Sequence, residues 1–353
     1  MNRGRWGKAV LAGWGCGRGL AVCLFGVYLA LWVTGAAQAW AFTGAHDRAC
    51  ITTMSVVAHE DDDLLFINPA IQHDIAAGRC VITVFVTAGD DGQGDAYWQT
   101  REQGPMAAYA AMAGVADHWI ENDLRVDGRL LTRRQLPATR ISLVFLRLPD
   151  GSSGTLRRHE SLYALWVGRV RTVHPLDSSR SYTLKRVIHT LTGLMNHYQP
   201  TDIRTLDYVH PFRDGDHTDH HIVGHLTSAA QAAYRLPHRM TGYMGYPIAK
   251  LPVNLSRADR DQKLAAFLAY APYDRRVCQT EQVCLHNSYA PRFSHSYRVG
   301  AAVSDDVPTP PPVDVPRMPR PVSEPSQQIP KPRNWRLRAI LRRTRSRGER
   351  AAR

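Results

Sequence analysis

The sequence predicts an α/β domain with a doubly wound, mainly parallel sheet and helices on both faces. Strand-like and helix-like segments alternate along the chain, which is the pattern of such sheets. The first two strands, Ile51–Ala58 and Cys80–Thr87, are continuously apolar, as expected for strands buried on both faces. A helical segment separates them, so they form a βαβ unit of two parallel neighbours joined by a right-handed crossover.

The first half of the domain combines this unit with antiparallel strands. A helix begins at Asn68-Pro69, where proline suits the first turn, and ends before Gly78. A glycine-rich loop at residues 88–94 then precedes an alanine-rich helix. Residues 119–148 are predicted as antiparallel strands, with Asp127-Gly128 as the turn signal.

The second half continues the alternation of helices and strands. We expect helices over Tyr182–Tyr198, Thr218–Tyr234 and Ser256–Tyr270, the last with Ser256 in an N-capping pattern. Strands over Asp202–Tyr208 and Arg239–Ile248 complete the predicted sheet.

The amino-terminal residues 1–39 have the pattern of an export signal. A basic start leads into the apolar stretch Leu20–Ala37, and Ala37-Gln38-Ala39 is a small-x-small cleavage pattern. We expect cleavage near Ala39, with an uncleaved membrane anchor as the alternative. Residues 40–307 then form the folded domain.

The carboxyl-terminal part divides into two segments. Pro308–Pro332 contains ten prolines in twenty-five residues and is predicted to be an extended linker. Arg333–Arg353 carries nine arginines and one glutamate, which suits a tether to an anionic envelope polymer or lipid. A solvated, disordered tail without a partner is the alternative reading.

The net charge of +13 lies entirely on these two ends. The body between them balances 28 basic with 28 acidic residues, so no basic fold for nucleic acid is expected. The apolar content of 44% excludes a wholly disordered chain.

Four cysteines follow the export segment, and they allow three disulfide pairings. Cys50 and Cys80 each begin a predicted strand, which places them side by side at one end of the sheet. Cys278 and Cys284 are six residues apart in a turn-rich stretch. We therefore expect the pairs Cys50–Cys80 and Cys278–Cys284 in an oxidising compartment.

Two polar clusters follow predicted strands, where ligands bind in such sheets. Ala58-His59-Glu60-Asp61-Asp62-Asp63 ends the first strand, and His217-Thr218-Asp219-His220 opens a later helix. Alone, the first suits a solvated acidic loop and the second a chance grouping among sixteen histidines. Together they supply the two imidazoles and one carboxylate that a catalytic zinc requires.

With these motifs the chain resembles the LmbE-like (PIG-L) family of zinc-dependent N-deacetylases. The family's hallmarks are Ala-His-Pro-Asp-Asp-Glu after the first strand and a later His-x-Asp-His. The resemblance covers most of residues 40–290, including Thr87-Ala88-Gly89-Asp90 and Arg101-Glu102. It implies a Rossmann-like sheet and one Zn²⁺ per chain.

The resemblance also implies roles for individual residues. His59, Asp62 and His220 would be the metal ligands, and Asp61 the general base. His217 would polarise the oxyanion or protonate the leaving amine, and Asp219 would orient a histidine. The substrate-binding residues would be Arg101 and Asp90, with Arg101 gripping a sugar hydroxyl. For Arg101, an exposed helix position is the alternative.

The motifs depart from the family pattern at three positions. Glu60 replaces the proline and Asp63 the closing glutamate, which predicts a less rigid loop without loss of a ligand or base. Gly215 stands where some relatives have a tyrosine. The sequence also offers a rival ligand set, His217, His221 and His225, which are spaced by four along one helix.

We therefore expect an exported zinc hydrolase that removes an acyl group, most simply acetyl, from the nitrogen of an amino sugar or glycoconjugate such as an N-acetylglucosamine derivative. One alternative is a non-catalytic envelope-binding protein with a vestigial metal site. Another is a phosphoesterase, which would use two metal ions.

Overall fold

The computed structural model describes residues 50–151, 159–178 and 180–303, and eight strands of this part form one sheet. The strands are β1 Thr52–Val57, β2 Cys80–Thr87, β3 Ile120–Val126, β4 Arg129–Leu136, β5 Ile141–Leu148, β6 Asp202–Leu206, β7 Arg239–Tyr243 and β8 Arg298–Val303. Their order is β3-β4-β5-β2-β1-β6-β7-β8. The predicted export signal, proline-rich linker and basic tail lie outside the described residues.

Five strands, β5-β2-β1-β6-β7, are parallel, while β3, β4 and β8 pair antiparallel at the two sides. The predicted βαβ unit is confirmed, and Thr52 of β1 lies opposite Cys80 of β2. The predicted antiparallel strands over residues 119–148 are β3, β4 and β5. The doubly wound, mainly parallel sheet expected from the sequence is therefore present.

Helices flank this sheet. They are α1 Ala70–Ala76, α2 Asp95–Arg101, α3 Gln103–Ala113, α4 Leu162–Trp166, α5 Leu184–Tyr198, α6 Thr218–Gln231, α7 Arg257–Tyr270, α8 Glu281–Leu285 and α9 Ala290–Ser294. Helices α1, α3 and α7 pack together, and α4, α5 and α6 form a second group. As predicted, Ser256 caps α7, since its Oγ accepts a hydrogen bond from the Asp259 N–H at 3.1 Å. Among the described residues, no helix has the length and apolarity needed to cross a membrane.

Some predicted elements differ from the structure. The strand expected over Arg239–Ile248 ends at Tyr243, and Tyr246–Lys250 forms a 3₁₀ turn with Pro247 inside it. Proline lacks the N–H that a central strand donates, which explains the change. One turn of π-helix, Asp63–Ile67, precedes α1. Strand β8 and helix α8 were not predicted.

One predicted disulfide, Cys278–Cys284, closes a short loop that includes the start of α8. Cys50 and Cys80 are also both disulfide-bonded. Their pairing with each other stays a prediction from the sequence.

The chain leaves β1 toward β2 on one side of the sheet and later returns to β6 on the other side. The strand order therefore reverses between β1 and β6. At such a reversal the connections diverge and leave a crevice at the carboxyl ends of the strands. The motif after β1 and the start of α6 both lie at this crevice.

Helix α6 reaches the crevice by packing closely on β6 through Gly224. A Cβ atom at Gly224 would lie 2.8 Å from the Leu206 carbonyl oxygen and 2.9 Å from that of Asp207. Real Cβ atoms do not approach backbone oxygens this closely. Glycine at this position therefore sets how near His220, one turn earlier on α6, comes to the sheet.

We expect Gly224→Ala to lower the free energy of unfolding by about 1–3 kcal/mol, because rigid backbone must move to admit the methyl group. Chemical denaturation with circular dichroism measures the loss. Ser228→Ala, one turn later on the same helix, is the matched control and should change the stability by less than about 0.5 kcal/mol. Equal stabilities of the two variants would show that α6 can shift at no cost.

Candidate functional site

His59, Asp62 and His220 meet at the carboxyl ends of β1 and β6. Asp62 Oδ1 lies 2.9 Å from His220 Nε2, and Asp62 Oδ2 lies 3.2 Å from His59 Nδ1. All three residues are buried, with exposed fractions of 4% for His59, 1% for Asp62 and 0% for His220. The three residues expected to act as metal ligands are thus adjacent, although they come from segments 158 residues apart or more in the chain.

The donor atoms of this group suit a zinc ion. His220 Nε2 is buried and makes no hydrogen bond within the described structure, although Asp62 Oδ1 is only 2.9 Å away. Two imidazoles and one carboxylate are a ligand set of catalytic zinc sites, in which the fourth position stays open. The chemistry of the residues therefore fits the metal.

Asp216 supports His220 from the outside of this group. Its Oδ1 lies 2.7 Å from His220 Nδ1 and also accepts the backbone N–H groups of His217 at 2.9 Å and Tyr246 at 3.0 Å. A carboxylate on the second nitrogen of a ligating histidine fixes its tautomer and orientation. Sequence reasoning missed Asp216, although its position one helical turn before His220 was a usable signal.

The electrostatics around His220 follow from these two carboxylates. Burial alone lowers the pKa of the His220 imidazole, but Asp62 and Asp216 outweigh it and raise the pKa to about 10. The same contacts act in reverse on Asp62. Burial raises the pKa of its carboxyl, but His220 and His59 hold it well below the usual value. Asp62 is therefore an anion, as a metal ligand must be.

His217 lies beside the proposed ligands, and its imidazole is neutral. Its ring meets the His59 ring edge-on, with centroids 4.6 Å apart. Its Nδ1 accepts the Asp219 backbone N–H at 3.2 Å, so the hydrogen of the neutral ring is on Nε2. Burial, followed by the charge of His59, lowers its pKa to about 3. A neutral imidazole with Nε2–H is a hydrogen-bond donor, which suits the predicted oxyanion role better than ligation.

Two carboxylates face the far nitrogen of His59. Asp150 Oδ2 lies 3.4 Å and Asp219 Oδ2 lies 3.6 Å from His59 Nε2, and the Gly151 N–H donates to Asp219 Oδ2 at 2.7 Å. His59 Nε2 makes no hydrogen bond to the described residues, so the orienting role of Asp219 stays a prediction. Asp150 was missed, although it directly follows strand β5. His59, Asp150 and Asp219 have ligand atoms within 4.8 Å of one another and could hold an ion, as could His59, His217 and His220.

Asp61, the predicted base, borders the ligands and is held by an arginine. Its Oδ1 accepts a hydrogen bond of 2.6 Å from Arg101 Nη2. Burial raises the pKa of the Asp61 carboxyl, while Arg101 opposes this and Asp62 adds to it. The contact with Arg101 fixes the orientation of the Asp61 carboxylate.

The two predicted substrate-binding residues need correction. Arg101 is neither exposed nor free to grip a sugar, because it is 8% exposed and its other nitrogens donate to Gly89 O and Tyr270 Oη at 2.7 Å. Asp90 is buried too, and its two carboxylate oxygens accept the backbone N–H groups of Gly92 and Asp150. Both side chains hydrogen-bond protein groups around the site and so stabilise its loops.

The rival ligand set is not assembled. His221 places Nδ1 3.0 Å from the Asp207 carbonyl oxygen and Nε2 3.1 Å from Asp214 Oδ1, so both of its nitrogens are in use. The His225 ring stacks between Trp166 and Phe212. These two histidines support α6 rather than bind a metal.

A family model described as GlcNAc-PI de-N-acetylase, PIG-L, matches residues 54–231, which is half of the chain and includes both sequence motifs. The chain belongs to the PIG-L family. No curated protein matches it.

The solved structures to which the chain is similar include several deacetylases. The chain shares 14% identity with teicoplanin deacetylase Orf2 in its zinc-inhibited form, over 72% of this chain and 100% of that one, with a TM-score of 0.43. N,N'-diacetylchitobiose deacetylase from Pyrococcus horikoshii shares 14% identity with the chain. The match covers 74% of this chain and 87% of that one, with a TM-score of 0.41. A 4-carboxy-2-hydroxymuconate hydratase from Pseudomonas putida KT2440 shares 15% identity with the chain. The match covers 63% of this chain and 79% of that one, with a TM-score of 0.39.

Glu60 and Asp63, at which this PIG-L member departs from the family motif, are both buried. Glu60 is fully buried and lies 3.4 Å from Arg101 Nε, and burial raises its pKa to about 8. Asp63 accepts hydrogen bonds from Tyr109 Oη at 2.6 Å and the Leu64 N–H at 2.9 Å, and burial raises its pKa to about 8. Both carboxyl groups pack inside the domain, and the lower rigidity expected of the loop stays a prediction.

Tyr246 is a further residue that sequence reasoning missed. Its ring packs on His220 with centroids 5.2 Å apart, and it is held there by Phe66 and by the backbone hydrogen bond to Asp216. It belongs to the 3₁₀ turn that replaced the end of the predicted strand. Tyr246 therefore brings a phenol ring to the site, while Gly215 provides none.

We expect Arg101→Met to lower the free energy of unfolding by about 3–5 kcal/mol, because it leaves the buried carboxylates of Asp61 and Asp274 without their cation. Urea denaturation measures the loss. Arg79→Met, which removes a half-exposed arginine paired with Asp74, is the control and should cost about 1 kcal/mol or less. A similar small effect of both substitutions would mean that the Arg101 charge is not needed for folding.

Proposed function

We propose that the chain is an exported, zinc-dependent hydrolase that removes an N-acyl group, most simply acetyl, from an amino sugar or glycoconjugate. The observation that carries the proposal is the buried group of His59, Asp62 and His220 with the Asp61 carboxylate beside it. Membership of the PIG-L family supports deacetylation of an amino sugar as the reaction class.

His59, Asp62 and His220 would hold one zinc ion per chain. A zinc ion bound by three protein ligands lowers the pKa of a water in its open position to roughly 7 and polarises a carbonyl. The remaining residues prepare the ligands for this task. Asp216 fixes His220, and Asp150 and Asp219 face the outer nitrogen of His59.

Asp61 would accept the proton of the attacking water. Arg101 holds one carboxylate oxygen, which leaves the other oxygen in a fixed direction. Burial raises the pKa of Asp61 and so makes it a stronger base than an exposed aspartate.

His217 would stabilise the acyl oxygen as it gains negative charge. Its Nδ1 accepts the Asp219 N–H, so the ring hydrogen is on Nε2, which would donate to the acyl oxygen. The proton that Asp61 would accept from the water can then pass to the departing amine nitrogen, and His217 stays neutral. Hydrolysis of the amide yields a carboxylate and a free amine without an organic cofactor.

Export is proposed from the sequence of residues 1–39 and from the disulfide chemistry. Four cysteines are disulfide-bonded, which is typical of proteins in oxidising compartments. Binding of the basic tail to an anionic envelope polymer or lipid remains part of this proposal.

A phosphoesterase is the second candidate, because the structure contains a second donor group. His59, Asp150 and Asp219 place their ligand atoms within 4.8 Å of one another. Two ions per chain would favour the phosphoesterase, since such enzymes use a metal pair. One ion favours the deacetylase, and a lack of any bound ion favours the non-catalytic envelope-binding protein.

We expect His220→Gln to abolish zinc binding, because it removes a ligand, and His221→Gln to leave one zinc per chain. The two histidines are neighbours on α6, which makes His221 a matched control. Inductively coupled plasma mass spectrometry of the purified full chain gives the metal content. Retention of zinc by His220→Gln together with its loss from His221→Gln would reverse our ligand assignment.

We expect Asp61→Asn to keep the metal and to lower kcat for release of acetate from N-acetylated sugars by roughly 10²–10⁴-fold, because the amide cannot accept a proton. Asp123→Asn, an exposed carboxylate on β3, is the control and should leave kcat unchanged. A metal-loaded Asp61→Asn enzyme with normal turnover would refute the assigned base.

A further inference from the structure

The hydroxyl group of Tyr246 is accessible beside the proposed metal ligands. Its oxygen makes no hydrogen bond to a described residue, and it is not shielded from solvent. The residue as a whole is half-buried. A partly buried hydroxyl without a protein partner gains one when a water molecule or a ligand binds, so this group is available to the reaction.

Several contacts fix the Tyr246 ring in place. Its centroid lies 5.2 Å from that of His220 and 5.4 Å from that of Phe66. The Arg292 guanidinium lies over the ring at 4.6 Å from the centroid. The backbone N–H of Tyr246 donates to Asp216 Oδ1 at 3.0 Å. A phenol held in this way cannot turn freely, so the fold sets the direction of its hydroxyl before a substrate binds.

Gly245 allows this turn to approach the carboxylate that supports His220. A Cβ atom at Gly245 would lie 2.3 Å from Asp216 Oδ1 and 2.4 Å from Asp216 Oδ2. A side chain at this position would therefore push the turn and the Asp216 carboxylate apart. The close approach means that Tyr246 and His220 are both positioned by the same carboxylate.

A chain of contacts leads from Tyr246 back to the arginine that holds Asp61. It passes through the cation over the Tyr246 ring, one aromatic ring beside α9 and two aromatic rings of α7. In order, its members are Arg292, Tyr289, Phe267, Tyr270 and Arg101. The centroids of its successive aromatic rings are 5.6 and 5.8 Å apart, and its last hydrogen bond measures 2.7 Å. The Tyr246 ring and the Asp61 carboxylate therefore border the same part of the site.

The charges that act on the Tyr246 hydroxyl agree with this placement. Burial, followed by the carboxylates of Asp61 and Asp62, raises the pKa of the phenol well above its usual value. The phenol is therefore protonated at neutral pH. His217, the other proposed hydrogen-bonding residue, contacts His59 instead, with ring centroids 4.6 Å apart, and no ring contact joins it to Tyr246 in the described structure. The two residues thus border different parts of the site.

We propose that the Tyr246 hydroxyl is a second hydrogen-bonding partner of the attacking water and orients it together with Asp61. The proposal rests on the deacetylase function and adds a residue that lies outside the segment matched by the family model, residues 54–231. Asp61 accepts one hydrogen of the water as a proton, while the phenol oxygen accepts a hydrogen bond from the other. The water oxygen bonds to the acyl carbon, and the proton on Asp61 passes to the amine nitrogen as the C–N bond breaks. Tyr246 keeps its own proton throughout.

Tyr246→Phe removes the hydroxyl and keeps the ring with its contacts. In the zinc-loaded full chain we expect kcat for acetate release from the best N-acetylated sugar to fall roughly 10- to 100-fold, because the water is no longer held in the reactive orientation. KM should change by less than about 2-fold, since the water is not part of the substrate. Inductively coupled plasma mass spectrometry should still give one zinc per chain.

Tyr208→Phe is the matched control. Tyr208 is also half-buried, and its hydroxyl likewise makes no hydrogen bond to a described residue. This hydroxyl lies beside Gly300 on strand β8, because a Cβ atom there would be 2.8 Å from it. Strand β8 is at the edge of the sheet, away from β1 and Asp61. Tyr208→Phe should therefore leave kcat unchanged.

A double-mutant comparison separates a shared water from a merely structural effect. In the Asp61→Asn chain the base no longer takes a proton from the water, so adding Tyr246→Phe should lower kcat by less than about 3-fold. In the His217→Gln chain, which retains the base, Tyr246→Phe should keep its full effect. Full additivity of Tyr246→Phe with Asp61→Asn, or a loss of additivity with His217→Gln alone, would overturn the water-binding role.

The parent chain tests the proposed function separately. Acetate release by the parent chain with an equal kcat for Tyr246→Phe would overturn only the role of Tyr246. A parent chain that binds zinc but releases no acetate from any N-acetylated sugar would refute the deacetylase and the water-binding role with it.

Discussion

The contact of one carboxylate, that of Asp62, with two histidines is the interaction on which the site depends. Asp62 follows β1 by five residues, and His220 lies in the first turn of the helix after β6. Their contact of 2.9 Å is possible because β1 and β6 are adjacent parallel strands whose carboxyl ends share one edge. The central reversal of strand order therefore decides the chemistry, since it brings both motifs to a single crevice.

Because these carboxylates are buried, each of them needs a partner that stabilises its charge. An isolated charge inside a protein is strongly disfavoured, so each buried carboxylate needs a cation, a hydrogen-bond donor or a proton. Asp62 has two histidines, Asp216 has a histidine and two backbone N–H groups, and Asp61 has Arg101. The outer residues therefore have a double effect: they make the ionised ligands tolerable inside the domain, and they fix the direction of each donor atom.

Much of this could be predicted from the sequence, because the relevant signals are local. The continuous apolar runs gave β1 and β2, and the two motifs stand directly at the ends of elements. Asp150 obeys the same rule, since it follows β5, and it could have been found in that way. For Tyr246, Gly245 and Pro247 signal the end of the strand, but nothing in the sequence indicates that the Tyr246 ring packs on His220.

The environment of Arg101 lies beyond sequence reasoning for a different reason. Its partner Tyr270 is 169 residues away, and nothing in the helical segment around Arg101 distinguishes a buried arginine from an exposed one. Only tertiary packing decides between them. The same packing explains Gly89, because a side chain there would overlap both Glu60 and Arg101.

The replacement of the motif's proline by Glu60 adds a third carboxyl group near the Arg101 guanidinium. Arg101 lies 2.6 Å from Asp61, 3.0 Å from Asp274 and 3.4 Å from Glu60, so three carboxyl groups compete for one guanidinium. Glu60 makes the longest contact, and both of its carboxyl oxygens lack hydrogen bonds to the described residues. Because burial raises its pKa to about 8, Glu60 is mostly protonated at neutral pH and does not share the cation. Arg101 therefore remains the partner of Asp61, and the glutamate can enter the motif without changing the charge that the base experiences.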